Sequence, residues 1–275
     1  MARPLTGSAL RDQLRVSPGA KVRLAGHDPT ETFGHTKDEA GPVIQAGLDR
    51  LTALQERIWA EGKRAILIVL QGVDTAGKDG AVSHVMSAFN PQGCTVTSFK
   101  VPTAEEMAHD YLWRVHRVAP GRGTIGIFNR SHYEDVLVVR VHDLVPRAVW
   151  RRRYGEINDF EALLADNGAT IIKFFLHISP DEQRRRLQAR LDDPTKVWKF
   201  QKGDLAERKL WPAYQAAYED ALSRCSTKAA PWYIIPADHK WFRDLAVAEV
   251  VGQTLADLKP RYPVAAPDLA GLRVE

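Results

Sequence analysis

The chain has 275 residues, 44% of them hydrophobic and 26% charged, which is the composition of an ordinary globular protein with a full core. Its net charge of +4 is modest and suggests an anionic ligand without identifying it. The longest purely apolar run, residues 65–70, is too short to span a bilayer, and the N-terminus lacks the apolar core of a signal peptide. With Cys94 and Cys225 interpreted as free thiols, these features argue against a membrane or secreted protein, and we expect a cytoplasmic one.

The first segment, residues 1–40, is rich in Gly, Pro, Thr and Asp and shows no sustained periodicity. We predict an N-terminal arm that lies on the domain surface or on a neighbouring subunit. A single domain is predicted over residues 41–262, because no internal repeat or low-complexity tract interrupts it, and residues 263–275 are predicted to form a C-terminal tail.

Helices and strands are predicted to alternate through this domain. Apolar residues recur at helical spacing over 42–60, and AILIVLQ (65–71) is typical of a strand buried on both faces. Further strands are predicted at 94–99, 124–129, 170–178 and 231–238, with helices at 79–89, from Thr103, around 148–164, from Pro180 and up to about 258. This order favours an α/β fold with a mostly parallel sheet covered by helices on both faces.

The segment GVDTAGK (72–78) fits the phosphate-loop pattern G-x-x-x-x-G-K and stands between a predicted strand and a predicted helix. Its glycines allow backbone N–H groups to turn toward phosphate oxygens, the helix N-terminus adds partial positive charge, and Lys78 adds a full charge. The alternative is a tight turn with a surface lysine. We call residues 72–78 the phosphate loop.

Two acidic residues depart from the usual pattern. Asp79 replaces the Ser or Thr whose hydroxyl normally holds Mg²⁺, and Asp74 lies inside the loop, where it would repel a bound phosphate chain. Asp74 is therefore predicted to bind Mg²⁺ or to position the attacking oxygen. The alternative is a solvated loop aspartate.

The segment FNRSHYED (128–135) follows the third predicted strand. Because ligands bind at the carboxyl ends of parallel strands, Asn129 and Arg130 are predicted to face the same crevice as the phosphate loop. Arg130 would neutralise phosphoryl oxygens. Glu134 and Asp135 are either acceptor-site or metal-shell groups, or solvated charges.

A basic helix, in which Arg184, Arg185, Arg186 and Arg190 are close together, follows the fourth strand. Leu187 and Leu191 are predicted to be buried, with Arg186 and Arg190 on a more exposed face. Together with the downstream lysines, this segment is predicted to be a cationic lid that closes over a polyanion. The alternative is a solvated helix face.

Four segments of the chain closely resemble the polyphosphate kinase 2 family over about residues 20–260: GVDTAGKDG (72–80), FNRSHYEDV (128–136), EQRRRLQARLDDPTKVWKF (182–200) and STKAAPWYIIPADHK (226–240). The resemblance implies a P-loop kinase-like, specifically thymidylate kinase-like, fold with a helical lid at about 182–210. It also implies inorganic polyphosphate as phosphoryl donor, an adenine nucleotide as acceptor, and Mg²⁺ as bridge, with Mn²⁺ as a substitute. A homo-oligomer, dimer or tetramer, is expected, and neither nucleic acid nor membrane is expected as a partner.

Many members of that family have aspartate where this chain has Asn129, and FNRSHYED is similar to the subgroup that phosphorylates both AMP and ADP. The predicted catalytic residues are Asp74, Lys78, Asn129 and Arg130, with Asp74 as the Mg²⁺ ligand. The predicted phosphate-binding residues are Gly72, Thr75, Ala76, Gly77, Lys78, Asp79, Gly80, Arg186, Arg190 and Lys199. The predicted acceptor residues are Thr103, Glu106, Arg114, Ser131 and Glu134.

Three other functions are alternatives to a polyphosphate kinase. An ATP-dependent nucleoside monophosphate kinase would need an adenine-stacking site beside the lid, and residues 184–202 supply no obvious one. A nucleic-acid-binding protein would interleave stacking aromatics with the arginines, and only Trp198 and Phe200 are candidates there. A non-catalytic polyphosphate-binding protein would gain nothing from Asp74.

Overall fold

The structure is a computed structural model that describes residues 3–267 and 272–274. The outer ends of the predicted N-terminal arm (1–40) and part of the predicted C-terminal tail (263–275) lie outside the described residues. Among the described residues, no helix is both long enough and apolar enough to cross a membrane.

Within the part of the chain that the structure describes, five strands form one parallel sheet in the order β2-β3-β1-β4-β5. The strands are β1 (Ala65–Gln71), β2 (Cys94–Ser98), β3 (Ile125–Asn129), β4 (Ala169–His177) and β5 (Trp232–Pro236). The helices are α1 (Gly7–Leu14), α2 (Lys37–Glu61), α3 (Lys78–His84), α4 (Ala104–Met107), α5 (Trp113–His116), α6 (Val138–Val141), α7 (Arg147–Asp166), α8 (Pro180–Asp192), α9 (Lys202–Lys209), α10 (Trp211–Cys225) and α11 (Lys240–Asp257). The predicted α/β class and parallel sheet are confirmed.

The central strand β1 is buried along its whole length, as its continuous run of branched apolar residues predicts. The chain places β2 and β3 on one side of β1 and β4 and β5 on the other, because β3 pairs with one edge of β1 and β4 with the other. In such a sheet a crevice opens at the carboxyl ends of the strands where the chain connections diverge. The loop after β1 therefore lies at the position where this fold places its ligands.

Helix α1 packs on the outside of the domain against α11 and β5. Its apolar residues Leu10 and Leu14 are buried in the main core. The chain that follows continues along β5, because the Val16 amide donates to the Trp232 carbonyl at 2.9 Å. This early segment therefore covers the exposed edge of the sheet next to its last strand.

A buried polar network lies beneath the turn that follows β3. Lys173 of β4 contacts the Glu161 carboxylate of α7 and donates to the Tyr133 hydroxyl and the Cys225 carbonyl, both at 2.7 Å. The Tyr133 hydroxyl in turn donates to Glu161 at 2.9 Å, and His132 Nε2 lies 3.1 Å from the same carboxylate oxygen. The network thus ties a turn to a strand and a helix that come later in the chain.

We expect the substitution Lys173→Met to destabilise the fold by about 3–5 kcal/mol, because it leaves the Glu161 carboxylate buried without a cation. The double variant Lys173→Met, Glu161→Gln removes that uncompensated charge and should recover more than half of the loss. Urea unfolding at constant pH measures both free energies. A double variant as unstable as the single one would show that the charge pair is not the reason.

Candidate active site

The phosphate loop connects β1 to α3 through a backbone with two left-handed residues. Thr75 and Gly77 have φ values of 63° and 107°. Alternation of right- and left-handed residues turns successive N–H groups toward one concave side, which forms an anion-binding nest. Gly77 is also the N-cap of α3 and offers no side chain to the first free amides of the helix, so those donors are left for a ligand.

Lys78 is buried beneath this loop. Its ammonium group donates to the carbonyl of Gly72 at 2.8 Å and to that of Val73 at 3.2 Å. Burial, and then the nearby charge of Arg130, lowers the pKa of Lys78 to about 8. The lysine is therefore held by backbone dipoles rather than by a direct carboxylate hydrogen bond, and its charge is available to an anion.

Asp74 projects from the loop toward the lid, with a third of its side chain exposed (33%). Arg190 of α8 donates to its carboxylate at 3.0 Å, and Gln183 of the same helix donates to its backbone carbonyl at 3.2 Å. Two residues of the basic helix therefore contact the loop aspartate directly.

The prediction for Arg186 and Leu191 is wrong: Arg186 is 7% exposed, whereas Leu191 is 42% exposed. The Arg186 guanidinium contacts Glu182 and donates to the carbonyls of Thr75 at 2.9 Å and Ala76 at 3.0 Å. A loop that turns its amides to one side turns carbonyls to the other, and an arginine with five donors can satisfy several of them. Helical periodicity treats every arginine as solvent-facing and cannot recognise this role.

The lid is less uniformly cationic than its sequence suggests. Several of its basic side chains pair with acidic neighbours: Arg184 with Asp181, Arg185 with Glu182, and Lys196 with Asp193. Lys199, a predicted phosphate-binding residue, is exposed and lies over the Trp198 ring.

The end of β3 lies beside the phosphate loop, and of the two residues predicted to face its crevice Arg130 lines the cavity whereas Asn129 contacts α3. The Asn129 side-chain amide donates to the Asp79 carboxylate at 2.7 Å, which links β3 to the first turn of α3. Arg130 pairs with Glu134 at 3.1 Å, and this pairing is the largest influence that raises the pKa of Arg130. Arg130 has a φ of 63°, a left-handed conformation that is uncommon for a residue with a side chain.

A cavity of about 250 Å³ opens between the phosphate loop, the end of β3 and the helices α9 and α10. Its wall on the α10 side is aromatic, with Tyr214 and Tyr218 beside Trp211. The other lining residues are Gly72, Val73, Asp74, Arg130, Glu134, Leu137, Val138, His142, Gln183, Asp204 and Glu207. Sequence reasoning missed this aromatic wall, although the spacing of residues 211, 214 and 218 places the three rings on one face of a helix.

One oxygen of Glu134 is unsatisfied inside this region. Its Oε2 accepts from Arg130, whereas the buried Oε1 has no hydrogen-bond partner among the described residues. A buried carboxylate oxygen without a donor is costly, and such an atom in a cavity wall is an acceptor for a ligand N–H or O–H group.

Most of the other predicted acceptor residues have structural partners instead. Thr103 and Glu106 bond to each other in a capping box at the start of α4. Arg114 is buried and donates to the Lys100 carbonyl at 2.9 Å. Ser131 is fully buried and accepts from Gln71 and from the Tyr133 amide. Of the five predicted acceptor residues, all of which the structure describes, only Glu134 lines the cavity.

The residues present fit a metal that takes most of its ligands from substrate and water. No group of three or more His, Cys, Asp or Glu side chains that could hold a metal ion occurs among the residues that the structure describes. Mg²⁺ is commonly held by one or two carboxylates together with phosphate oxygens and water. Asp74, which lines the cavity at the phosphate loop, suits that arrangement.

Comparisons with known proteins point to one family. The sequence model described as Polyphosphate kinase 2 (PPK2) matches residues 36–263. A Meiothermus ruber protein named AMP/ADP-polyphosphate phosphotransferase is 52% identical over 90% of this chain and 94% of its own length. A Rhodopseudomonas palustris protein named ADP-polyphosphate phosphotransferase is 45% identical over 93% of each chain. The crystal structure of Polyphosphate Kinase 2 from Arthrobacter aurescens TC1 superposes with a TM-score of 0.91 at 45% identity, covering 96% of this chain and 95% of that one.

The lowered pKa of Lys78 predicts a pH-dependent affinity for phosphate chains. A lysine is protonated below its pKa, so the positive charge is present at neutral pH and is lost as the pH rises through about 8. Above that value we expect the affinity for inorganic tripolyphosphate to fall by up to about tenfold per pH unit, because the ligand must restore the proton. Calorimetric titration at several pH values measures this. Lys78→Arg, which stays charged, should lack the fall, and an identical pH profile for both proteins would contradict the prediction.

Proposed function

This chain belongs to the polyphosphate kinase 2 family, and we propose that it converts AMP to ADP and ADP to ATP with inorganic polyphosphate as the phosphoryl donor. The observation that supports the proposal is that two binding sites of different chemistry lie side by side. A nest of backbone amides with a buried lysine adjoins a cavity that has a cationic end at Arg130 and an aromatic wall on α10.

The donor side of the site is assigned to the phosphate loop. Polyphosphate is a regular polyanion, and the loop amides, Lys78 and the neighbouring arginine Arg190 offer it hydrogen-bond donors and positive charge without selecting any base or sugar. Arg190 is already paired with Asp74 and is partly exposed, so a bound polyanion can compete for its guanidinium. This exchange would bring the lid helix onto the donor.

The acceptor nucleotide is assigned to the cavity. Aromatic side chains such as Tyr214 provide a flat apolar surface for a base, and Arg130 at the other end provides charge for a phosphate. The unsatisfied Oε1 of Glu134 supplies an acceptor for a nucleotide N–H or O–H group. Of the predicted acceptor residues, this placement retains Glu134. It puts the base at α10 and not beside α5, where Arg114 is buried.

The chemical step then needs mainly alignment and charge neutralisation. An oxygen of the acceptor's terminal phosphate attacks the terminal phosphorus of polyphosphate, a new P–O bond forms, and the bridging P–O bond breaks to leave a chain one phosphate shorter. The attacking oxygen is already anionic, so no strong general base is required, and the loose transition state is stabilised by positive charge. Lys78 and Arg130 provide that charge from the donor and acceptor sides.

A divalent ion, which we propose to be Mg²⁺ with Mn²⁺ as a substitute, would be held by Asp74 and would neutralise phosphate oxygens when bound. Asn129 bonds to Asp79 and is proposed to position the first turn of α3 rather than to bind the ion. We also propose a homo-oligomer, a dimer or tetramer, which rests on the family resemblance, and a cytoplasmic location, which rests on the composition of the sequence.

We expect Lys78→Ala and Asp74→Ala each to lower the rate of ATP formation from ADP, Mg²⁺ and long-chain polyphosphate by about 10²-fold or more, because each removes a preorganised charged group. The matched control is Lys63→Ala, which removes an exposed lysine at the opposite end of β1. The same assay with AMP compares polyphosphate and ATP as donors. Near-normal turnover of the Lys78 variant, or a preference for ATP, would refute the proposed function.

We expect Glu134→Gln and Tyr214→Ala to raise the KM for ADP by about tenfold or more while the KM for polyphosphate changes little, because a lost hydrogen bond or ring contact acts on the acceptor alone. Glu105→Gln, at an exposed position of α4, is the control. If Glu106→Gln raised the KM for ADP instead and Glu134→Gln did not, the acceptor would lie beside α4.

A further inference from the structure

Arg243, in the first turn of helix α11, lies beside the phosphate loop and the first turn of α3. The residue is 2% exposed, and α11 packs on α3. A Cβ atom built on Gly77 would overlap Arg243 Nη1, and one built on Gly80 would lie 2.8 Å from Nη2 and 2.9 Å from Nη1. The guanidinium thus occupies the space that side chains at these two positions would need.

The two glycines have different reasons to be glycine. Gly77 has a positive φ of 107°, so its backbone conformation alone disfavours other residues. Gly80 lies inside α3, without a positive φ, where alanine is the better helix former. The guanidinium of Arg243 is therefore the group that would have to move to make room for a side chain at Gly80.

The charge of Arg243 is only locally compensated. Its Nε and Nη2 both contact one oxygen of the adjacent Asp244, at 2.8 Å and 2.7 Å. Burial is the largest cause that lowers the pKa of Arg186 and of Lys240, and the nearby charge of Arg243 also lowers both. The three cations therefore lie close enough to repel one another. Such a cluster is unfavourable in the free protein and becomes favourable when a polyanion occupies the loop.

We propose that Arg243 is a positioning residue for the phosphate donor, and that the glycine at position 80 leaves room for the Arg243 guanidinium. The guanidinium packs against the loop and the first turn of α3, and adds positive potential where the donor binds. This inference rests on the proposed function of the same loop. It assigns to a residue in the last helix, outside the phosphate-loop motif, a part in donor binding.

A residue that only filled the core would behave differently from a positioning residue. Loss of a core residue lowers stability and affects both substrates alike, whereas loss of support beside the loop raises the KM for polyphosphate selectively. Replacing Arg243 alone would also leave Asp244 buried without a partner, which is destabilising in itself. The test therefore compares Arg243→Met and Arg243→Lys, each combined with Asp244→Asn.

We expect Arg243→Met, Asp244→Asn to raise the KM for polyphosphate by about tenfold while the KM for ADP stays within about twofold. Arg243→Lys, Asp244→Asn retains the charge and should recover part of the donor affinity. Direct binding of tripolyphosphate, measured by calorimetry on the full chain, should follow the same order. Equal changes in both KM values, or none, would overturn the inference.

A double-mutant cycle tests the contact itself. Gly80→Ala should lower kcat/KM for polyphosphate by about tenfold in the otherwise unchanged protein, and by less than about twofold when Arg243→Met, combined with Asp244→Asn, has removed the obstructing group. Gly155→Ala is the control, because Gly155 lies in α7 with no atom within 4 Å of an added Cβ. Equal costs of Gly80→Ala in both backgrounds would overturn the inference.

Failure of the proposed function gives a distinct result. If the unchanged protein does not use polyphosphate at all, the proposed function is refuted. If it uses polyphosphate normally and the Arg243 variants behave like the parent, only the role of Arg243 is refuted.

Discussion

The site depends on how the loop between β1 and α3 orients its backbone, with carbonyl groups on one side and amide groups on the other. The loop after β1 directs carbonyls toward buried cations: Lys78 is held by Gly72 and Val73, and Arg186 by Thr75 and Ala76. Because these carbonyls accept hydrogen bonds from the ammonium and guanidinium groups, the two buried cations need fewer carboxylate partners. The amides on the other side of the turn are left for a ligand, so the loop concentrates positive potential on that side.

The same requirement joins distant parts of the chain. Helix α8 reaches the loop through Arg186 and through the pair of Arg190 with Asp74, and α11 reaches it through Arg243. Lys173 and Glu161 hold the turn that carries Arg130 and Glu134. The proposed donor and acceptor sites therefore share one packed base, while the Arg190–Asp74 pair, which is partly exposed, is the contact that we propose a polyanion displaces. A packed base with one exchangeable ion pair suits a reaction that needs alignment more than acid–base chemistry.

The assignment of the acceptor to the cavity changes how the segment after β3 is understood. As a linear motif, FNRSHYED appears to present a row of polar groups to the substrate. In the structure Ser131, His132 and Tyr133 face inward and hold the turn, and Arg130 and Glu134 line the cavity. The motif thus combines structural and substrate-facing residues, and substitutions within it are expected to divide into losses of stability and losses of acceptor affinity.

The features that follow from the sequence alone are local. A continuous apolar run predicts β1, residues three apart form the Thr103–Glu106 capping box, Ser179 caps α8, and the spacing of glycines and lysine locates the phosphate loop. The sequence could not show that Arg186 is buried, that α10 supplies the aromatic wall, or that Gly80 meets Arg243, because these contacts join residues far apart in the chain. Periodicity reports which face of a helix is apolar, but which carbonyl, carboxylate or glycine a buried arginine meets is decided only when the helices pack together.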